Sequence, residues 1–133
     1  MIGSKIVERL SSAGYAVTAI SRKFLPGDMP DVESVVVDSY AKIPTHVAGT
    51  LVVNCAGPTS QWAEANVRDY DAFIESHSQA VLDLSGRIDG CRLLNFSSVH
   101  VYSANFTGEI DETHPKLNEH PYALGHSKME ETL

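Results

Sequence analysis

Four short apolar runs, each closing on small or polar residues, limit what this chain can fold into. They are "YAVTAIS" (15–21), "SVVVD" (34–38), "TLVVNCAG" (50–57) and "RLLNFSS" (92–98). Runs of this length, rich in Val, Ile and Leu and with little polar alternation, mark strands covered on both faces, as in parallel sheets. Segments of helical spacing lie between them. Ile2, Ile6, Val7 and Leu10 predict a helix over 2–13, with Gly14 in the C-terminal capping position. Val67, Tyr70, Phe73, Ile74, Val81, Leu82 and Leu84 predict a long helix over 66–87. Pro26, Gly27 and Pro30 mark a loop, and a second loop over 103–121 leads to a closing helix. Pro121 suits that helix's first position, where a missing N–H costs nothing. Strands alternating with helices predict an α/β fold, a parallel sheet with crossover helices.

At 133 residues, 43% of them apolar, the chain is expected to form one domain over 1–133. Its net charge of −7 repels phosphate backbones and anionic lipid, and Lys and Arg form no stripe, so neither nucleic acid nor a membrane surface is an expected partner. No apolar run approaches the roughly 20 residues of a membrane span, and Lys5, Glu8 and Arg9 interrupt any signal-like N-terminus. Cys55 and Cys91 lie in different strands without Cys-x-x-Cys spacing and read as buried thiols, in keeping with a cytoplasmic protein. The six histidines are scattered without paired ligand spacing, and no metal site is expected.

The opening "IGSKIVERLSSAGYAVTAISR" reads as the second half of a nucleotide-binding β-α-β unit, helix then strand, with Gly3 as the last glycine of a phosphate-binding turn. Further on come "VVNCAG" (52–57), "NFSSVHVYS" (95–103), the acidic, Pro-containing "GEIDETHP" (108–115) and Tyr122, 24 residues after Ser98. In this order the pieces resemble the extended short-chain dehydrogenase/reductases, the NAD-dependent epimerase/dehydratases of nucleotide sugars. "SSVHVYS" matches that family's SSxxVYG pattern except that Ser103 replaces the glycine. The resemblance spans nearly the whole chain and implies a Rossmann-like doubly wound parallel sheet. It places residue 1 inside the glycine turn and residue 133 inside the helix carrying the tyrosine. The expectation is therefore a partial NAD(P)-binding domain that lacks the first, central strand and the C-terminal substrate region. Unpaired backbone groups at such a gap cost about 1–3 kcal/mol each, so the isolated chain is expected neither to bind dinucleotide tightly nor to turn over substrate.

The resemblance also implies roles. Tyr122 would be the general acid/base and Ser98 would orient the reacting oxygen. A phenol of pKa about 10 needs help at neutral pH, which the family supplies as a lysine four residues on, on the same helix face. Here that residue is His126; Lys128, at i+6, lies about 240° around and faces away. A neutral imidazole lowers the phenol's pKa less than a lysine would. The "HPYA…H" context resembles a Tyr-x-x-x-His variant among relatives in surface-polysaccharide gene clusters, which implies a nucleotide-sugar substrate. His100 stands where sugar dehydratases carry an acid, which favours epimerisation or reduction over dehydration. For the cofactor, Asp38 would meet the adenine, and Cys55, Ala56 and Gly57 would let the dinucleotide approach the backbone. Ser21 and Arg22 replace the acidic residue that reads a ribose 2′-hydroxyl, leaning the cofactor from NAD towards NADP. A homodimer is compatible with this class. The alternative is a non-catalytic dinucleotide-binding relative with a regulatory role, which the missing lysine favours.

Overall fold

The computed structural model describes residues 2–23, 29, 31–44, 51–88, 90–102 and 107–133. The expected loop at Pro26, Gly27 and Pro30, together with Thr50, His46 and Ser103, lies outside these residues. The chain gathers into two compact units: Met1–Ala56 with Leu84–Asn95, and Gly57–Asp83 with Phe96–Leu133.

In the first unit, helix α1 (Ile2–Ser12) precedes strand β1 (Val17–Ser21). Gly14, at φ 82°, ends the helix. Tyr15 N donates to Leu10 O and Gly14 N to Ser11 O, the paired bonds of a Schellman cap, whose left-handed residue suits glycine. Strand β2 (Val32–Val36) pairs parallel to β1, in register Val17 to Val32. Strand β3 (Leu51–Asn54) pairs parallel to β4 (Arg92–Asn95), in register Leu51 to Arg92. Among the described residues these are two separate two-stranded sheets. The split falls between β1 and β3, between which the resemblance would put the first, central strand.

The core of this unit is Ile43, Leu84 and Ile88, against which Ile20, Val52 and Leu93 pack from β1, β3 and β4. Burying three such side chains contributes roughly 1.5–3 kcal/mol each. The expectation of strands buried on both faces needs correction: of all strand residues only Ala19 and Asn54 are buried. Two-stranded sheets resting on one apolar cluster leave much of their surface to water.

The helix expected over 66–87 is α3 (Tyr70–Ser85), which starts four residues later than expected and ends in the first unit; in the second unit a short helix that was not expected, α2 (Ser60–Asn66), precedes it. Thr59 caps α2 by accepting from Trp62 N. Val67 is extended at its end, and Asp69 Oδ1 accepts from Ala72 N to start α3. An Asp in that position satisfies a backbone donor left over at a helix start, so the chain restarts rather than running through. After β4, a 3-10 turn (Val99–Val101) and a loop lead to α4 (Pro121–Thr132), with Pro121 in the first turn as expected. Its N-cap is His120, whose ring accepts from Tyr122 N and whose Nε2 lies 3.5 Å from Glu64 of α2. No helix among the described residues is long and apolar enough to cross a membrane.

Candidate active site

The candidate cofactor residues of the first unit gather at the carboxyl ends of the strands. Gly3 sits in the first turn of α1, where an added Cβ would lie 3.6 Å from Cys55 Cβ, an ordinary contact. Burial pushes the Cys55 thiol up, so it stays protonated at neutral pH. Beyond it, Ala56 is exposed and its backbone is organised by Asn54, whose Oδ1 accepts from Ala56 N at 3.2 Å. Asn54 also donates from Nδ2 to Asn95 Oδ1 at 2.6 Å and accepts from Tyr40 Oη at 3.1 Å. Burial raises the Tyr40 phenol, against an opposing pull from the Asn54 bond and the Arg22 charge. Asn54 and Tyr40 are organising residues that the motif reading passed over. The signal for Asn54 was available: β3 and β4 both close on asparagine, Asn54 opposite Asn95.

Asp38 is paired with Lys42 at 2.6 Å, and its carboxyl is held below the usual range by that bond. Both side chains are exposed, and an exposed pair of this kind is worth little, so Asp38 stays open to a competing partner. Ser21 Oγ donates to Lys23 O at the end of β1, and Arg22 is exposed. In the second unit Gly57 is exposed, with open space where a Cβ would stand. Small, accessible backbone at Ala56 and Gly57 fits the close approach of an extended diphosphate.

The second unit holds the candidate catalytic residues. Tyr122 and His126 lie on one face of α4, ring centres 4.7 Å apart at 67°. Tyr122 is half-buried, and its hydroxyl makes no hydrogen bond among the described residues. His126 is only 7% exposed, and neither of its ring nitrogens has a partner among those residues. Burial pushes the imidazole down, as does the charge of a neighbouring His77, with Glu130 opposing. The ring is therefore neutral at pH 7 and is not a standing cation beside the phenol. Lys128 faces elsewhere, 4.0 Å from Glu75 on α3.

Ser98 caps the 3-10 turn, its Oγ accepting from His100 N at 3.2 Å. Helix α4 packs on that turn, and the ring brought over Tyr122 is His100, at 5.7 Å between centres. Ser98 instead lines a cleft of about 390 Å³ with Ser97, Asp111, Glu112 and Glu130; Tyr122 is not among its lining residues. Glu130 is held below the usual carboxylate range: burial raises it, and bonds from Lys116 and Ser97 outweigh that effect. No hydrogen bond joins the candidate catalytic serine and tyrosine, and the turn residue that meets the Tyr122 ring is His100. Among the described residues no group of three or more His, Cys, Asp or Glu is arranged to hold a metal ion.

Gly125 and His77 are the contact that motif reading missed. A Cβ on Gly125 would stand 2.8 Å from His77 Cε1 and Nδ1, too close for any real contact. The visible hints were a glycine inside a helix and a histidine within the apolar stretch of α3. Gly125→Ala is expected to destabilise the fold by about 1–2 kcal/mol, because overpacking outweighs alanine's helix preference of about 1 kcal/mol. Urea unfolding of the two proteins measures the difference.

A family model described as "NAD dependent epimerase/dehydratase family" matches residues 1–133, the whole chain. No curated protein and no solved structure gives a significant match.

Proposed function

The chain belongs to the NAD-dependent epimerase/dehydratase family, and on that premise we propose that it serves epimerisation or reduction of a nucleotide sugar. In this reading Tyr122 exchanges the proton of the sugar hydroxyl or carbonyl. The observation that carries the reading is the Tyr122–His126 pair, a phenol with an unoccupied hydroxyl beside a neutral imidazole four residues on. A neutral ring cannot favour phenolate by charge. It has a lone pair, however, and can take the phenol's proton as a base. Ser98 would orient the reacting oxygen from the end of its turn.

Gly3, Cys55, Ala56 and Gly57 would hold the dinucleotide, with Ser21 and Arg22 at its ribose and Asp38 at its adenine. A bound nicotinamide supplies hydride donation and acceptance. In Arg22 there is a cation, not a carboxylate, after β1, which suits a 2′-phosphate and hence NADP. The two parallel pairs β1–β2 and β3–β4 are read as parts of one doubly wound sheet. A role in surface-polysaccharide synthesis follows from the "HPYA…H" context. The rival reading, a non-catalytic dinucleotide-binding regulator, draws on the replacement of the lysine by a buried His126.

The test, made on the full-length protein, offers NADPH or NADH together with a panel of nucleotide sugars, following nicotinamide absorbance for reduction and sugar NMR for epimerisation. Conversion of at least one sugar, with NADPH preferred, is expected. Arg22→Glu should move the preference towards NADH by about tenfold, or about 1.4 kcal/mol. Dinucleotide binding without conversion across the panel would favour the regulator, and absence of both would end the proposal.

A further inference from the structure

The buried face of α4 contains a second imidazole that no step above uses. His77, on α3, is 8% exposed, and its ring centre lies 5.5 Å from that of His126. It is wedged against Gly125, where only a glycine leaves room, and edge-on to Phe73 at 4.7 Å. Its Nδ1 lies 2.9 Å from Phe73 O. A carbonyl oxygen can only accept, so Nδ1 carries the proton, and in the neutral ring Nε2 is a bare acceptor.

That Nε2 has no partner among the described residues, and neither has either nitrogen of His126. A buried polar atom left without a partner is destabilising. The two rings hold complementary needs: His77 lacks a donor, and a neutral His126 has one N–H with nothing to accept it. An imidazole nitrogen stands about 1.2 Å from its ring centre, so rings joined by a linear N–H···N bond of about 2.9 Å would have centres about 5.3 Å apart. The observed 5.5 Å is within a small side-chain adjustment of that.

We propose that His77 is a positioning residue for His126, accepting its N–H at Nε2 and so fixing which nitrogen of His126 remains bare beside Tyr122. The chain of bonds runs from His126 N–H to His77 Nε2, and from His77 Nδ1–H to Phe73 O. It ends on a backbone carbonyl that cannot change its protonation. The outcome is a single tautomer of His126, with its free lone pair committed to the Tyr122 side. The inference rests on the proposed function for its purpose, but not for its measurement. The other titratable groups facing His126 are Tyr122 and Glu130 from α4 and His100 from the 3-10 turn.

The experiment is long-range proton–nitrogen NMR on the nitrogen-15-labelled chain at pH 7.5, without substrate or dinucleotide. In the unsubstituted protein, His126 is expected as one tautomer and His77 with its proton on Nδ1. A nitrogen–nitrogen coupling between the two rings would report the bond directly. His77→Asn keeps a donor for Phe73 O and removes the Nε2 acceptor, and should turn His126 into a mixture of both tautomers. A mixed His126 in the unsubstituted protein overturns the proposal. So does a single tautomer that persists in a folded His77→Asn protein. If that variant does not fold, the unsubstituted protein's tautomer and coupling decide alone. Failure of the enzymatic reading would register elsewhere, in turnover of the sugar panel with these ring signals unchanged.

Discussion

In the full-length protein, Tyr122→Phe is expected to lower nucleotide-sugar turnover by about 10²–10⁴-fold, the range that a positioned proton donor contributes. The same change should leave stability within about 0.5 kcal/mol. The separation follows from the surroundings of the ring. Phenylalanine preserves the edge contacts with His126 and His100. The atom removed is a hydroxyl that bonds to nothing among the described residues. Loss of kcat with an unchanged unfolding midpoint and unchanged dinucleotide affinity is therefore the signature of chemistry at that oxygen. Turnover that survives the substitution would sink the assignment of Tyr122 as acid/base. Ser98→Ala is a poorer probe, because Ser98 Oγ also caps the turn under α4, so activity and stability would fall together.

Local signals carried much of the architecture. Gly14 stops α1 by adopting the left-handed conformation that its missing side chain permits, and Pro121 opens α4 where its lost N–H is not needed. Both effects are decided within a few residues, so both were legible. The start of α3 was not: the apolar spacing ran back through Val67 to 66, whereas Val67 is extended and the helix begins at Tyr70. What overrides the spacing is one side-chain bond, Asp69 to Ala72 N. Strand β2 lies two residues earlier than its most apolar letters suggest, since register against β1, not hydropathy, sets its ends. The least legible feature was the neighbourhood of Tyr122. Spacing along α4 placed His126 beside it, yet the ring's burial depends on His77, 49 residues earlier on another helix. Ser98 Oγ accepts from the backbone of His100, a bond that spacing did not show and that leaves its O–H free to donate.

Acidification should test the buried imidazole on its own terms. His126 has a folded pKa below the ordinary value of about 6.5, because burial disfavours the charged ring and His77 adds to the effect. The unfolded chain therefore binds the proton first. Stability from this group is complete above about pH 6.5 and is lost as pH falls through the window down to the folded pKa. Between pH 7.5 and 5.5 the loss is at most about 1.4 kcal/mol, the value for one proton over one pH unit below the unfolded pKa. The carboxylates with lowered values, Glu8, Asp38, Asp111 and Glu130, do not blur this window. Their contributions are present above the unfolded carboxylate range of about 4 and are lost only below it. Urea melts at the two pH values should thus show a lower midpoint at pH 5.5, and His126→Gln should flatten the difference. Equal midpoints for the unsubstituted protein would mean that the imidazole reaches water before it takes up its proton. In that case the neutral base beside Tyr122 would lose its physical ground.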